Sequence, residues 1–133
     1  MKILWVSDCP DNKVNTGYAT ATRLIAVELM KRGHKFVFGS QGSQEACIQN
    51  ISVGEFSCKS YGFGLGKFLS AQAIGEIDKL ENPDLIITMA DWQMIEGMLG
   101  LSGYPAFSKW VCYAPVDGDM LSNHWDHMIH NIP

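Results

Sequence analysis

The chain has 133 residues, of which 47% are hydrophobic and 18% charged, and a formal net charge of −4. That balance fits a single globular domain large enough for a real core and excludes a disordered chain. Lys and Arg are scattered through an acidic background with no aromatic-studded basic stripe, which excludes a nucleic-acid face.

In chain order, Ile3 to Ser7 is a short apolar run that predicts a buried strand. The polar loop Asp8 to Asn15 follows. Thr16-Gly17-Tyr18 then opens a helix over Ala19 to Arg32, closed by Gly33. Its apolar residues, among them Leu24, Ile25, Val27 and Met30, cover more than a narrow stripe, so the helix should pack on a sheet with neighbours at its flanks. Lys35 to Ser40 predicts a second strand only a short turn later, which makes a right-handed parallel βαβ unit.

Gln41 to Ser52 is polar, with a short helical turn expected at Ala46-Cys47-Ile48. Phe56 to Tyr61 predicts a third strand. Gly62-Phe63-Gly64-Leu65-Gly66 reads as a turn rather than a phosphate loop, because no Lys-Ser/Thr pair follows it. Lys67 to Glu81 carries an apolar stripe at helical spacing, and Asn82-Pro83 stops it. Asp84 to Met89 is continuous in apolar residues, as a strand covered on both faces should be. Ala90-Asp91-Trp92 leads into a helix through about Leu101, and Trp110 to Ala114 predicts a fifth strand. His124 to Ile129 forms a last segment, capped by Ser122 or Asn123. Five strands alternating with helices predict one α/β domain over 1–133: a three-layer α/β/α Rossmann-like parallel sheet in the order 3-2-1-4-5.

Cys9, Cys47, Cys58 and Cys112 form no C-x-x-C pair and read as buried free thiols of a cytoplasmic protein. The apolar run after Lys2 is too short for a signal-peptide core, and no window approaches the roughly 20 apolar residues of a membrane span.

Open parallel sheets bind ligands beyond the carboxyl ends of their strands. Three loops there carry unusual residues: Asp8 to Tyr18, Ala90-Asp91-Trp92, and Pro115-Val116-Asp117-Gly118-Asp119. Thr16 can cap the helix, and Gly17 lets backbone approach a phosphate closely; the same two residues equally describe a plain helix start. Asp91 suits sugar hydroxyls and Trp92 a ring face, the alternative being an N-capping Asp beside a core Trp. Asp117-Gly118-Asp119 is ordinary turn chemistry rather than a metal site. His124, His127 and His130 recur every three residues, but with no fourth ligand in register they read as a solvated helix, so no metal is expected.

Ile3-Leu4-Trp5-Val6-Ser7, Thr16-Gly17-Tyr18 and Leu29-Met30-Lys31-Arg32-Gly33-His34 together resemble the N-terminal domain of GT-B glycosyltransferases. The similarity is to the large retaining group built around glycosyltransferase family four. Asn82-Pro83-Asp84-Leu85-Ile86-Ile87-Thr88 with Asp91-Trp92 looks like that group's fourth strand and loop. Tyr113-Ala114-Pro115-Val116-Asp117-Gly118-Asp119 is similar to a fifth-strand loop of some members. The resemblance implies a hexosyl-transferring enzyme that moves sugar from a nucleotide-sugar donor, a substrate rather than a cofactor, to an acceptor. It places Gly17 and Tyr18 near the donor diphosphate or acceptor, Asp91 and Trp92 on the acceptor side, and Asp117 in the catalytic position where many members have His.

It also implies a C-terminal donor domain bearing basic residues and paired glutamates, which these residues do not supply. The expectation is therefore an incomplete N-terminal domain, inactive alone, with an open sheet edge through which it self-associates. The alternative is a stand-alone Rossmann-like ligand-binding or interaction module without catalysis. A receiver-type signalling domain is set aside, because only Asp8 supplies the paired acids it needs after the first strand.

Overall fold

A computed structural model describes residues 1–42, 46–64, 70–91, 94–95 and 109–114. Its elements are β1 (Lys2–Asp8), α1 (Gly17–Lys31), β2 (Lys35–Gln41), β3 (Ile48–Val53), β4 (Phe56–Gly62), α2 (Ala71–Glu81), β5 (Leu85–Met89) and β6 (Trp110–Tyr113). Together they make an α/β fold with a mixed sheet. β1 lies between β2 and β5 and is parallel to both, in registers that run from Lys2↔Lys35 to Asp8↔Gln41 and from Ile3↔Leu85 to Val6↔Thr88. β4 is parallel to β2, and β6 is parallel to β5.

The sheet corrects the expected five-strand order 3-2-1-4-5. It has six strands in the order β3-β4-β2-β1-β5-β6, and β3 runs antiparallel to β4. β3 occupies the stretch read as polar chain with a helical turn. The physical reason is a period-two pattern, in which Ile51 and Val53 are buried while Ser52 between them is exposed. Gly54-Glu55 supplies the two-residue turn that returns the chain into β4, with Val53 opposite Phe56. Gly54 has φ +60° and Glu55 an ordinary φ, the type II′ pattern that matches strand twist.

Alternate residues of β1 enter two separate cores. Ile3 and Trp5 pack with Ala26 and Met30 of α1, whereas Leu4 and Val6 pack with Ile74 and Ile77 of α2. Two buried indoles find partners in these cores: Trp5 Nε1 donates to Thr22 Oγ1 at 3.1 Å, and Trp110 Nε1 to Thr88 Oγ1 at 2.9 Å. The four cysteines are free thiols, with Cys9 and Cys58 buried. No helix among the described residues is long and apolar enough to cross a membrane.

Helix ends follow local chemistry. Gly33, at φ +88°, closes α1: its N–H donates to Met30 O at 2.9 Å and the His34 N–H to Leu29 O at 3.2 Å. This is the paired Schellman arrangement. α2 starts at Ala71 rather than at the expected Lys67, because Ser70 is extended and its hydroxyl accepts from the Ala73 N–H at 3.2 Å. Asn82, left-handed at φ 43°, ends α2 just before Pro83.

The last residue of α2, Glu81, anchors the amino end of the sheet. Its carboxylate takes Lys2 Nζ at 2.8 Å, Lys59 Nζ at 2.5 Å and the Tyr61 hydroxyl. Lys2, then Lys59 and Tyr61, hold its pKa down to about 2 from the ordinary 4.5. A depressed carboxylate stabilises the fold above its unfolded pKa and loses that contribution as pH falls through the folded one. Acid titration should therefore show a loss of stability between about pH 4.5 and 2. Both lysines are partly exposed, so the loss is about 1 kcal/mol after solvent screening. Glu81→Gln should flatten that limb in urea unfolding followed across pH.

Gly54→Ala should cost about 1–3 kcal/mol in the same measurement. The new Cβ would take a strained φ and stand 2.6 Å from Val27 Cγ2 of α1.

Candidate functional site

The carboxyl ends of β1 and β5 lie side by side because the two strands are parallel neighbours. From β1 the chain runs through Cys9 to Asn15 into α1, and from β5 through Ala90 to Asp91. Thr16 joins the first of these loops to its helix. Its Oγ1 accepts from the Ala19 N–H at 3.1 Å and donates to Asp8 Oδ2, at the end of β1, at 2.6 Å. One hydroxyl thus caps α1 and ties it to the strand that precedes it.

Tyr18, in the first turn of α1, donates its hydroxyl to Asp91 Oδ1. This hydrogen bond closes the gap between the two loops. The Asp91 carbonyl accepts from the Met94 and Ile95 N–H groups at 3.0 and 3.2 Å, so Asp91 also starts a helical turn. Its side chain does not cap that turn in any described bond; it reaches across to α1 instead.

Gly17 is the first residue of α1 and is exposed. A Cβ built on it meets nothing within 4 Å. Its backbone has no left-handed φ, so the fold does not itself require glycine here. The exposed surface around it collects the first-turn N–H groups of α1, the Asp8 and Asp91 carboxylates and the Tyr18 hydroxyl. Carboxylates near a helix N-terminus already satisfy its positive end. Such a surface offers strong acceptors to ligand hydroxyls and is a poorer match for a bare phosphate.

Of the residues expected at the site, Thr16, Gly17, Tyr18 and Asp91 come together in the structure. Trp92 and Asp117 lie outside the described residues, as do His124, His127 and His130. Among the described residues no group of three His, Cys, Asp or Glu is placed to hold a metal ion.

Two residues beside the site were not singled out as site residues in the sequence. Asp8 is the partner of the capping hydroxyl, and Asn12 pairs its side-chain amide with the Gly54 backbone. The Gly54-Glu55 pair between the alternating Ile51/Val53 run and Phe56 is the signal that marks the hairpin. Nothing in sequence marks Asn12 as its contact.

Compared with protein-family models, curated proteins and solved structures, the chain shows no match to any of them.

Two substitutions separate helix capping from ligand contact. Thr16→Ala should lower unfolding stability by about 1 kcal/mol through loss of the cap. Gly17→Ala should leave stability unchanged or raise it by up to about 1 kcal/mol, because alanine favours a helix and has open space. Thermal unfolding of both variants beside the parent chain checks this.

Proposed function

We propose that this chain is the N-terminal, acceptor-side domain of a nucleotide-sugar-dependent glycosyltransferase, with a three-layer α/β/α Rossmann-like core, working in the cytoplasm. The observation that carries the reading is the Tyr18–Asp91 hydrogen bond, which joins the loops leaving two neighbouring parallel strands. Ligands of open α/β sheets sit above such paired carboxyl ends. The local chemistry also fits a sugar. Asp91 is an exposed acceptor suited to a ligand hydroxyl, oriented by the Tyr18 hydroxyl, and Gly17 leaves room for a bulky neutral group to approach the backbone.

On this reading the acceptor's hydroxyl-bearing face meets Asp91, and Trp92 supplies a stacking surface for its ring. Asp117 is the residue beside the transferring sugar. The leaving diphosphate needs positive charge and exclusion of water, and a second domain supplies both. The domain alone then binds ligand weakly and does not turn it over.

The test is a panel of nucleotide-sugars and sugar acceptors added during thermal unfolding, followed by a transfer assay with a donor domain supplied. Expected is a small stabilisation, about 1.4 kcal/mol at ten times the dissociation constant, and transfer only with the donor domain present. Gly17→Val and Asp91→Asn should each reduce that stabilisation while the unliganded unfolding temperature holds. No response to any sugar, with or without the second domain, would sink the proposal. Strong binding by the chain alone, unaltered by a donor domain and without transfer, would favour a stand-alone binding module.

A further inference from the structure

The loop that carries the site, Asp11 to Thr16, is held from outside by the β3–β4 hairpin. Asn12 Nδ2 donates to Gly54 O at 2.9 Å, and the Gly54 N–H donates back to Asn12 Oδ1 at 2.8 Å. This reciprocal pair reproduces a strand-like contact with one side chain. Beside it the Asn12 N–H donates to Ser52 O at 2.8 Å, and the Ser52 N–H to Asp11 Oδ2 at 3.2 Å. Four hydrogen bonds therefore join two adjacent loop residues to the hairpin.

On its other side the loop is stapled to α1, where Arg23 Nη1 donates to Asp11 O at 2.8 Å and to Val14 O at 3.0 Å. The hairpin in turn is seated against α1, since the Gly54 Cα leaves no room for a Cβ beside Val27. The hairpin and α1 thus define where the loop ends, and the loop ends at the Thr16 cap that sets Gly17 and Tyr18.

We propose that Asn12 is a positioning residue: its pairing with the hairpin tip sets the placement of Gly17 and Tyr18 toward the ligand, without touching ligand itself. The function it serves rests on the sugar-binding reading above, but the positioning does not. Exposed hydrogen bonds contribute only modestly to global stability. Their removal should therefore loosen the loop far more than it lowers the unfolding temperature.

The experiment uses the full 133-residue chain. Amide hydrogen exchange is read at Lys13, Val14 and Ala19, whose N–H groups donate to Asp11 Oδ1, Asp11 O and Thr16 Oγ1. The Tyr18 ring signals are followed by NMR. Asn12→Ala should speed exchange at these three amides at least tenfold and move the Tyr18 signals toward those of Asp91→Asn, while amides of β1 and β2 stay protected. Asn12→Asp, which keeps an acceptor for the Gly54 N–H, should restore part of both effects. Unchanged loop exchange and Tyr18 signals in Asn12→Ala, or exchange raised uniformly over the whole sheet, would overturn the proposal. Nucleotide-sugar affinity is measured on the same samples. If the parent chain, with or without a donor domain, binds no sugar yet the loop responds as stated, the sugar reading fails and the positioning role stands.

Discussion

β1 is buried on both faces, and the remaining elements are arranged by that constraint. Ile3, Leu4, Trp5 and Val6 are each at most 4% exposed. Burying such side chains stabilises by about 1.5–3 kcal/mol apiece. Neither face of the strand can be left to water: Ile3 and Trp5 cluster with Ala26 and Met30 of α1, and Leu4 and Val6 with Ile74 and Ile77 of α2. Apolarity alone would tolerate a register slip, because both faces are greasy. The buried indole N–H groups do not tolerate it. A one-residue slip would carry Trp5 to the opposite face and strand its Nε1 without Thr22, at a cost of about 1–3 kcal/mol.

The two ends of the sheet then take different work. At the amino end polar groups pair with one another. Glu81 gathers Lys2, Lys59 and Tyr61, and Asp84 exchanges hydrogen bonds with the Lys2 backbone at 2.7 and 2.8 Å. Helix α2 ends there in a left-handed Asn and a proline. At the carboxyl end the polar groups face outward instead. Asp8 accepts from the Thr16 hydroxyl and Asp91 from the Tyr18 hydroxyl, with Thr16 and Asp91 exposed.

That outward face depends on an element far from it in sequence. The β3–β4 hairpin holds the β1–α1 loop through Asn12, 42 residues from Gly54. A glycine is needed at Gly54 for two independent reasons, the II′ turn and the contact with Val27. A glycine is not needed by the fold at Gly17, where backbone and space would accept a side chain. The contrast separates a glycine that the fold requires from one that it does not.

The central elements were legible in the sequence because their signals are local. The apolar run Ile3 to Ser7, the Thr16 cap, Gly33 after the basic last turn, and Asn82-Pro83 each act within a few residues. The same locality made Thr16, Gly17, Tyr18 and Asp91 recognisable as residues beyond strand ends. β3 was missed because only two of its residues are buried, and its polar majority outweighed the period-two pattern. Its pairing with β4, the Asp8–Thr16 and Tyr18–Asp91 bonds and the Asn12–Gly54 pair were decided by tertiary structure. The Tyr18–Asp91 and Asn12–Gly54 bonds join groups 73 and 42 residues apart, which no short window contains, and a polar side chain shows its partner only once the sheet has brought the strand ends together. Sequence alone determined which segments form strands and helices around β1; the folded sheet decided which polar groups meet above it, because hydrogen bonds over such separations exist only after the core has packed.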